Sequence, residues 1–171
     1  GATATGYPAG NYFPATVENT LHFYREASET FPDLSFMIYH NPALFQTYIP
    51  VDAFKELVKL PNFVGMKDSH RDTRAFIELQ TIIRGKISVF PIAGQYWPYA
   101  ALGAAGFWSY ECWMGPWPVL RLRDAVAAGD TDTAIQIIRE ITNVAPHGGM
   151  DIKWRETAAK IAIGYADYVT P

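Results

Sequence analysis

The sequence predicts an α/β fold, and three observations carry the prediction. Short β-rich runs alternate with longer helical patterns over most of the chain, residues 72–84 show a single apolar face, and capping and turn residues fall where the pattern switches. Strands that alternate with helices over this many cycles read as βα units on a parallel sheet, with the strands buried on both faces.

The elements follow in order. ATATGY, residues 2–7, reads as a strand and is followed by a helix over about 15–30, with Pro14 near its start. SFMIYH, 35–40, is the next strand, and the helix after it runs over about 51–59 with Asp52 in its first turn. FVGMK, 63–67, precedes a helix over 72–84, in which Phe76, Leu79, Ile82 and Ile83 recur at spacings of three and four and Gly85 follows the last turn. ISVFPIA, 87–93, leads to a helix over about 97–102, and GFWSYE, 106–111, leads to one over 116–128 closed by Gly129. After Gly129 the strands stop. Two helical stretches, 130–144 and 152–168, are separated by the turn-rich APHGGMD. Residues 1–128 therefore read as the βα units and 129–171 as a C-terminal helical extension of the same domain. Five strands suit either an open doubly wound sheet or part of a (β/α)₈ barrel, and a chain of 171 residues is short of the roughly 250 of a complete barrel. Neither G-x-G-x-x-G nor G-x-x-x-x-G-K-[ST] follows any strand, so the usual phosphate-cradling loops are missing.

Composition narrows the partners. With 14 Lys and Arg against 17 Asp and Glu, and no basic run, nucleic acid is not an expected partner. The apolar stretches fall short of a membrane span and GATATGYP is no signal peptide, which points to a cytoplasmic protein. One cysteine, Cys112, supports neither an internal disulfide nor a cysteine-based zinc site. His40, His70 and His147 are too scattered for a metal site, Asp151 and Glu111 form no recognisable carboxylate pair, and no G-x-S-x-G surrounds Ser69 or Ser109. Tyr96, Trp97, Tyr99, Phe107, Trp108, Tyr110, Trp113 and Trp117 crowd into one quarter of the chain, as core packing or as a pocket for a flat apolar ligand. The chain opens at residues that look like a strand already under way, which suggests part of a larger protein.

The chemistry is expected at strand C-termini, where FVGMKDSH ends a buried-looking run on Lys67. If strands 35–40 and 63–67 are parallel neighbours, Tyr39 and Lys67 share one rim of the sheet. A lysine drawn out of water there holds a useful fraction of neutral amine, which attacks a ketone to form an imine. A tyrosine hydroxyl within hydrogen-bond reach can shuttle the protons that this requires. The plainer alternative makes Lys67 a snorkelling surface charge and Tyr39 an amphipathic strand residue. Asp68, beside Lys67, reads as a hydrogen-bond partner for a neighbouring strand or loop.

IYHNP, 38–42, followed 28 residues after its tyrosine by the lysine of VGMKDS, 64–69, resembles the Y-x-x-P and G-x-K-[DE]-[AS] signatures of the dihydrodipicolinate synthase / N-acetylneuraminate lyase superfamily, the pyruvate-dependent class I aldolases. FPIAGQYWPYAALGAAGFWS, 90–109, is similar to the family's following strand, loop, helix end and last barrel strand. The resemblance implies a (β/α)₈ TIM barrel of which this chain is about the second half, strands 4 to 8 plus the C-terminal helices. It also implies Lys67 as the Schiff-base lysine and Tyr39 as its proton relay. The family's segment that binds the pyruvate carboxylate lies on strands with no counterpart here, so the implied active site is incomplete.

Departures from the family pattern shift the implied substrate. HNPALF after Tyr39 lacks the arginine of N-x-P-x-R, which counts against a dihydrodipicolinate synthase, and GQYWPY, 94–99, would meet a polyol with Tyr96 and Trp97. The aromatic surroundings, Y-x-N-P and the FWS…MGP run are most similar to the hydratase-aldolases of aromatic catabolism. These add water to an aryl-substituted 2-oxobut-3-enoate and cleave it to an aromatic aldehyde and pyruvate. The resemblance then implies substrate contacts at Gly94, Gln95, Tyr96 and Trp108. Arg155, in MDIKWRE, would pair bidentately with a carboxylate on the ring, or else is a surface arginine. Because the protonated imine is the electron sink, no metal or other cofactor is implied. A homotetramer is. An aldolase of sugar-derived or other aliphatic 2-keto acids, and a non-catalytic binding or assembly fragment of such a barrel, are the alternatives.

Overall fold

The computed structural model describes residues 3–6, 15–109 and 111–144, which fall in two compact units, Gly1–Trp108 and Ser109–Pro171. In the first, four parallel strands, β1 (Thr3–Gly6), β2 (Ser35–His40), β3 (Phe63–Asp68) and β4 (Ser88–Phe90), lie side by side in sequence order. A doubly wound sheet reverses its strand order at a switch point, and the four described strands show no such reversal.

Each connection carries helix. Thr16 caps α1 (Val17–Thr30) by accepting from the Asn19 amide, and Asp72 caps α4 (Thr73–Ile83) by accepting from the Ala75 amide at 2.8 Å. Tyr24 of α1, Phe54 and Leu57 of α3 (Phe54–Leu57), and Phe76, Leu79 and Ile83 of α4 share one core cluster with Phe36, Ile38, Met66 and Val89 of the strands. Complete burial of such side chains stabilises the fold by about 1.5–3 kcal/mol each. The helix face expected on 72–84 is the one buried, with Ile82 at its partly buried margin.

Four stretches differ from the sequence expectation. The helix expected over 51–59 begins as a 3₁₀ turn, Val51–Ala53, and closes with the i→i+3 bonds from Lys59 to Glu56 and from Leu60 to Leu57, so its α-helical part is confined to α3. A short helix, α2 (Pro42–Phe45), opens on the proline directly after β2; nothing in the hydrophobic pattern announces a helix of four residues. Among the described residues, the strand expected at 106–111 forms one bridge, between Ile92 and Trp108. Proline 91 has no N–H to give the ladder, and the contact continues through Trp108 N–H donating to Pro91 O and Ala93 N–H donating to Trp108 O. The same proline ends β4 at Phe90, short of the expected 87–93. A 3₁₀ turn, Ala93–Gln95, then leads into α5 (Tyr96–Ala101).

In the second unit, α6 (Trp117–Ala128) and α7 (Thr131–Val144) pack against each other and bury Val119, Leu122, Ala125, Ala134, Ile137 and Ile141. Gly129 makes the reversal between them at φ 72, a conformation that favours glycine, and Asp130 accepts from the Thr133 amide at the start of α7. The helix expected at 152–168 and Arg155 lie outside the described residues.

Candidate active site

Strand register brings the sequence-selected pair together. Tyr39 is the register partner of Lys67, and Met37 that of Gly65, so the period-two alternation places all four on one face of β2 and β3. A Cβ on Gly65 would stand 2.9 Å from Met37 Cγ, so the glycine two residues before the lysine lets Met37 lie across the strand. Lys67 Nζ donates to the Tyr39 hydroxyl at 2.8 Å, and both residues are half-buried. The Tyr39 ring is packed edge-on against Phe45 of α2, and the Asn41 amide lies 3.5 Å from its hydroxyl.

Trp108 also reaches this point. Its ring centroid is 5.3 Å from Lys67 Nζ, which is 4.0 Å from the centroid of Tyr39, so the nitrogen sits against two aromatic faces. Trp108 keeps 45% of its surface exposed, which leaves an open aromatic wall beside the amine. Gly94 and Gln95 lie in the turn after β4, at the same end of the sheet, and Tyr96 begins α5 with its ring 4.6 Å from that of Phe107. None of these three hydrogen-bonds Lys67. Gln95 Oε1 is buried and has no partner among the described residues.

Asp68 is expected from sequence to hydrogen-bond a neighbouring strand or loop, and it does so with His40, which sequence reading leaves without a partner. The signal was present: they follow Tyr39 and Lys67 directly, so they have the same separation of 28 and pair in register. Both point away from the lysine face, and both are buried along with Arg71, which is 1% exposed. Burial acts to raise the Asp68 pKa, but the hydrogen bond from His40 and the Arg71 guanidinium outweigh it and hold the carboxyl below its ordinary value. Among the described residues no three His, Cys, Asp or Glu are grouped to hold a metal, and no helix is long and apolar enough to cross a membrane.

Comparison with known proteins gives a consistent set. The model of the dihydrodipicolinate synthetase family matches residues 8–149. A trans-2'-carboxybenzalpyruvate hydratase-aldolase from Nocardioides sp. (strain KP7) is 24% identical over 135 residues, which cover 76% of this chain and 41% of that protein. Among solved structures, PhdJ bound to a substrate intermediate matches 88% of this chain and 49% of its own at 24% identity and a TM-score of 0.74. A dihydrodipicolinate synthase from Bacteroides thetaiotaomicron matches 96% of this chain and 56% of its own at 17% identity and a TM-score of 0.81. At these identities the structural likeness speaks for the fold. The chain spans about half the length of these relatives.

Proposed function

The chain belongs to the dihydrodipicolinate synthetase family, and from that premise we propose that it is the lysine-bearing second half of a (β/α)₈ barrel, strands 4 to 8 with the C-terminal helices, of a Schiff-base hydratase-aldolase. In this reading residues 1–128 supply the βα units and 129–171 the helical extension. The single observation that carries it is the 2.8 Å hydrogen bond between Lys67 Nζ and the Tyr39 hydroxyl at paired strand ends, with Trp108 alongside. Sequence-ordered parallel strands with their helices on one face support the barrel.

The substrate is an aryl-substituted 2-oxobut-3-enoate. Lys67 attacks its 2-keto carbon, and loss of water gives the imine. Protonated, the imine draws electrons through the conjugated double bond, so that water adds its hydroxyl at the carbon bearing the ring and its hydrogen at the next carbon. The hydroxyl proton then leaves, the bond between those carbons breaks, and an aromatic aldehyde departs while the electron pair is held as an enamine. Protonation and hydrolysis release pyruvate and restore the amine. Tyr39, in contact with Nζ, carries protons to and from the nitrogen and the leaving water. Trp108 offers a flat apolar wall to the ring, Gly94, Gln95 and Tyr96 line the rim, and Arg155 would pair with a ring carboxylate.

The relative acting on carboxybenzalpyruvate favours the aromatic substrate over aliphatic 2-keto acids. The test is turnover, by a protein carrying a complete barrel, of benzylidenepyruvates against 2-keto-3-deoxy sugar acids. Release of aromatic aldehyde supports the reading, and turnover of the sugar acids alone transfers the chain to the aliphatic branch. Tyr39→Phe is expected to lower kcat by about 10²–10⁴-fold, the usual worth of a positioned proton relay, and to leave KM nearly unchanged. A kcat within threefold of wild type would remove Tyr39 from the mechanism.

A further inference from the structure

The paired ends of β2 and β3 are bound a second time, on the face opposite the lysine. His40 Nδ1 lies 2.9 Å from Asp68 Oδ1, and the Ile49 amide donates to His40 Nε2 at 3.2 Å. An amide can donate only to an unprotonated ring nitrogen, so the proton sits on Nδ1 and is donated to Asp68. Arg71 Nε donates to the other carboxylate oxygen at 2.6 Å, while its remaining nitrogens donate to Ile49 O and the Tyr48 hydroxyl, each at 3.1 Å. Outside the strand proper, Ser69 N–H donates to His40 O, which extends the ladder one step past the lysine. Tyr99 of α5, packed on Phe76, donates its hydroxyl to Arg71 O at 2.7 Å.

We propose that Asp68, His40 and Arg71 form the positioning device of the imine chemistry: a buried clamp that fixes the strand ends presenting Tyr39 and Lys67, and so fixes the hydroxyl–amine distance. The inference rests on the Schiff-base reading above. These three are positioning residues, because each is buried on the far side of the sheet and cannot touch substrate. Two features separate the clamp from ordinary strand packing. His40 and Asp68 are each covalently next to a member of the pair, so a shift in either is passed on through a single peptide unit. The clamp also takes up both backbone groups of Ile49, so the loop after α2 is tied to the same point. Charged and polar groups held in this way have one low-energy arrangement, unlike a purely apolar contact that can slide.

The test uses borohydride trapping of pyruvate in a protein carrying a complete barrel, with the rate of adduct formation measured against pyruvate concentration. His40→Leu removes both ring hydrogen bonds. Its maximal trapping rate is expected to fall about tenfold or more, because misplacing reacting groups by about 1 Å costs about 10²-fold, while half-saturation by pyruvate changes less than about twofold. His40→Asn keeps a donor where Nδ1 stands and is expected to recover most of that rate, which a general loss of stability would not produce. Should His40→Leu fail to fold, Asp68→Asn, of the same shape and without the charge, carries the test with the same expected drop. A folded variant of either kind that traps at the wild-type rate overturns the clamp. No trapping in the wild type overturns the Schiff-base reading instead, so the two failures are distinct.

Discussion

Lys67→Ala is expected to remove aldolase turnover by more than about 10⁴-fold, beyond the loss of a proton relay alone, because it removes the amine that forms the imine. Among the described residues, the amine in contact with Tyr39 is that of Lys67, and the guanidinium of Arg71 is buried and committed to Asp68, Tyr48 and Ile49. The fold should survive the change. Lys67 is half-buried and its side chain makes one hydrogen bond, so truncation leaves a shallow vacancy between two rings, not a cavity in the core. Unaltered circular dichroism with lost turnover is the expected pair of results. Turnover within tenfold of wild type would mean that the chemistry does not run through this lysine.

Arg71→Leu is expected to be the costliest of the substitutions for stability, at about 3–5 kcal/mol, because it removes one partner of a buried ion pair and leaves the other. Leucine fills part of the volume but cannot replace the donors to Asp68, Ile49 and Tyr48. For a chain of this size the loss corresponds to a fall in Tm of roughly 10 °C or more at neutral pH. The pH dependence carries its own sign. The folded pKa of Asp68 lies below its unfolded value, so its contribution to stability is complete above the ordinary carboxylate range, about pH 4, and is lost as the pH falls through the folded value. The gap in Tm between wild type and Arg71→Leu should therefore narrow on acidification. Thermal unfolding at a series of pH values checks this, and a gap that stays constant down to acid unfolding would show that the pair is not what holds these ends.

The alternation of strand and helix was readable because each element has its own period: SFMIYH and FVGMK pair in the structure as they read in sequence, and the 72–84 stripe is buried. The Tyr39–Lys67 pair was readable for a related reason, since parallel pairing of those two runs leaves little choice of which ends meet. What was not readable had no periodic signature. The short α2 helix follows from a single proline, and the bridge at Trp108 in place of a full strand follows from the donor missing at Pro91. The clamp was hidden because, although Asp68 reads as a hydrogen-bond partner for a neighbouring strand or loop, its partners stay unnamed until the register sets His40 opposite it and the chain after β3 turns Arg71 back on them. A buried arginine in particular has no mark in sequence, since its burial depends on partners 20 or more residues away.

Borohydride reduction in the presence of pyruvate, followed by peptide mapping by mass, tests the imine mechanism most directly. It should be run on this chain and on a protein with a complete barrel. A pyruvate-derived adduct on Lys67, absent in Lys67→Ala, is the predicted result. A folded complete barrel that yields no adduct, or yields it on another lysine, would contradict the mechanism and leave Lys67 as a cation packed between two rings.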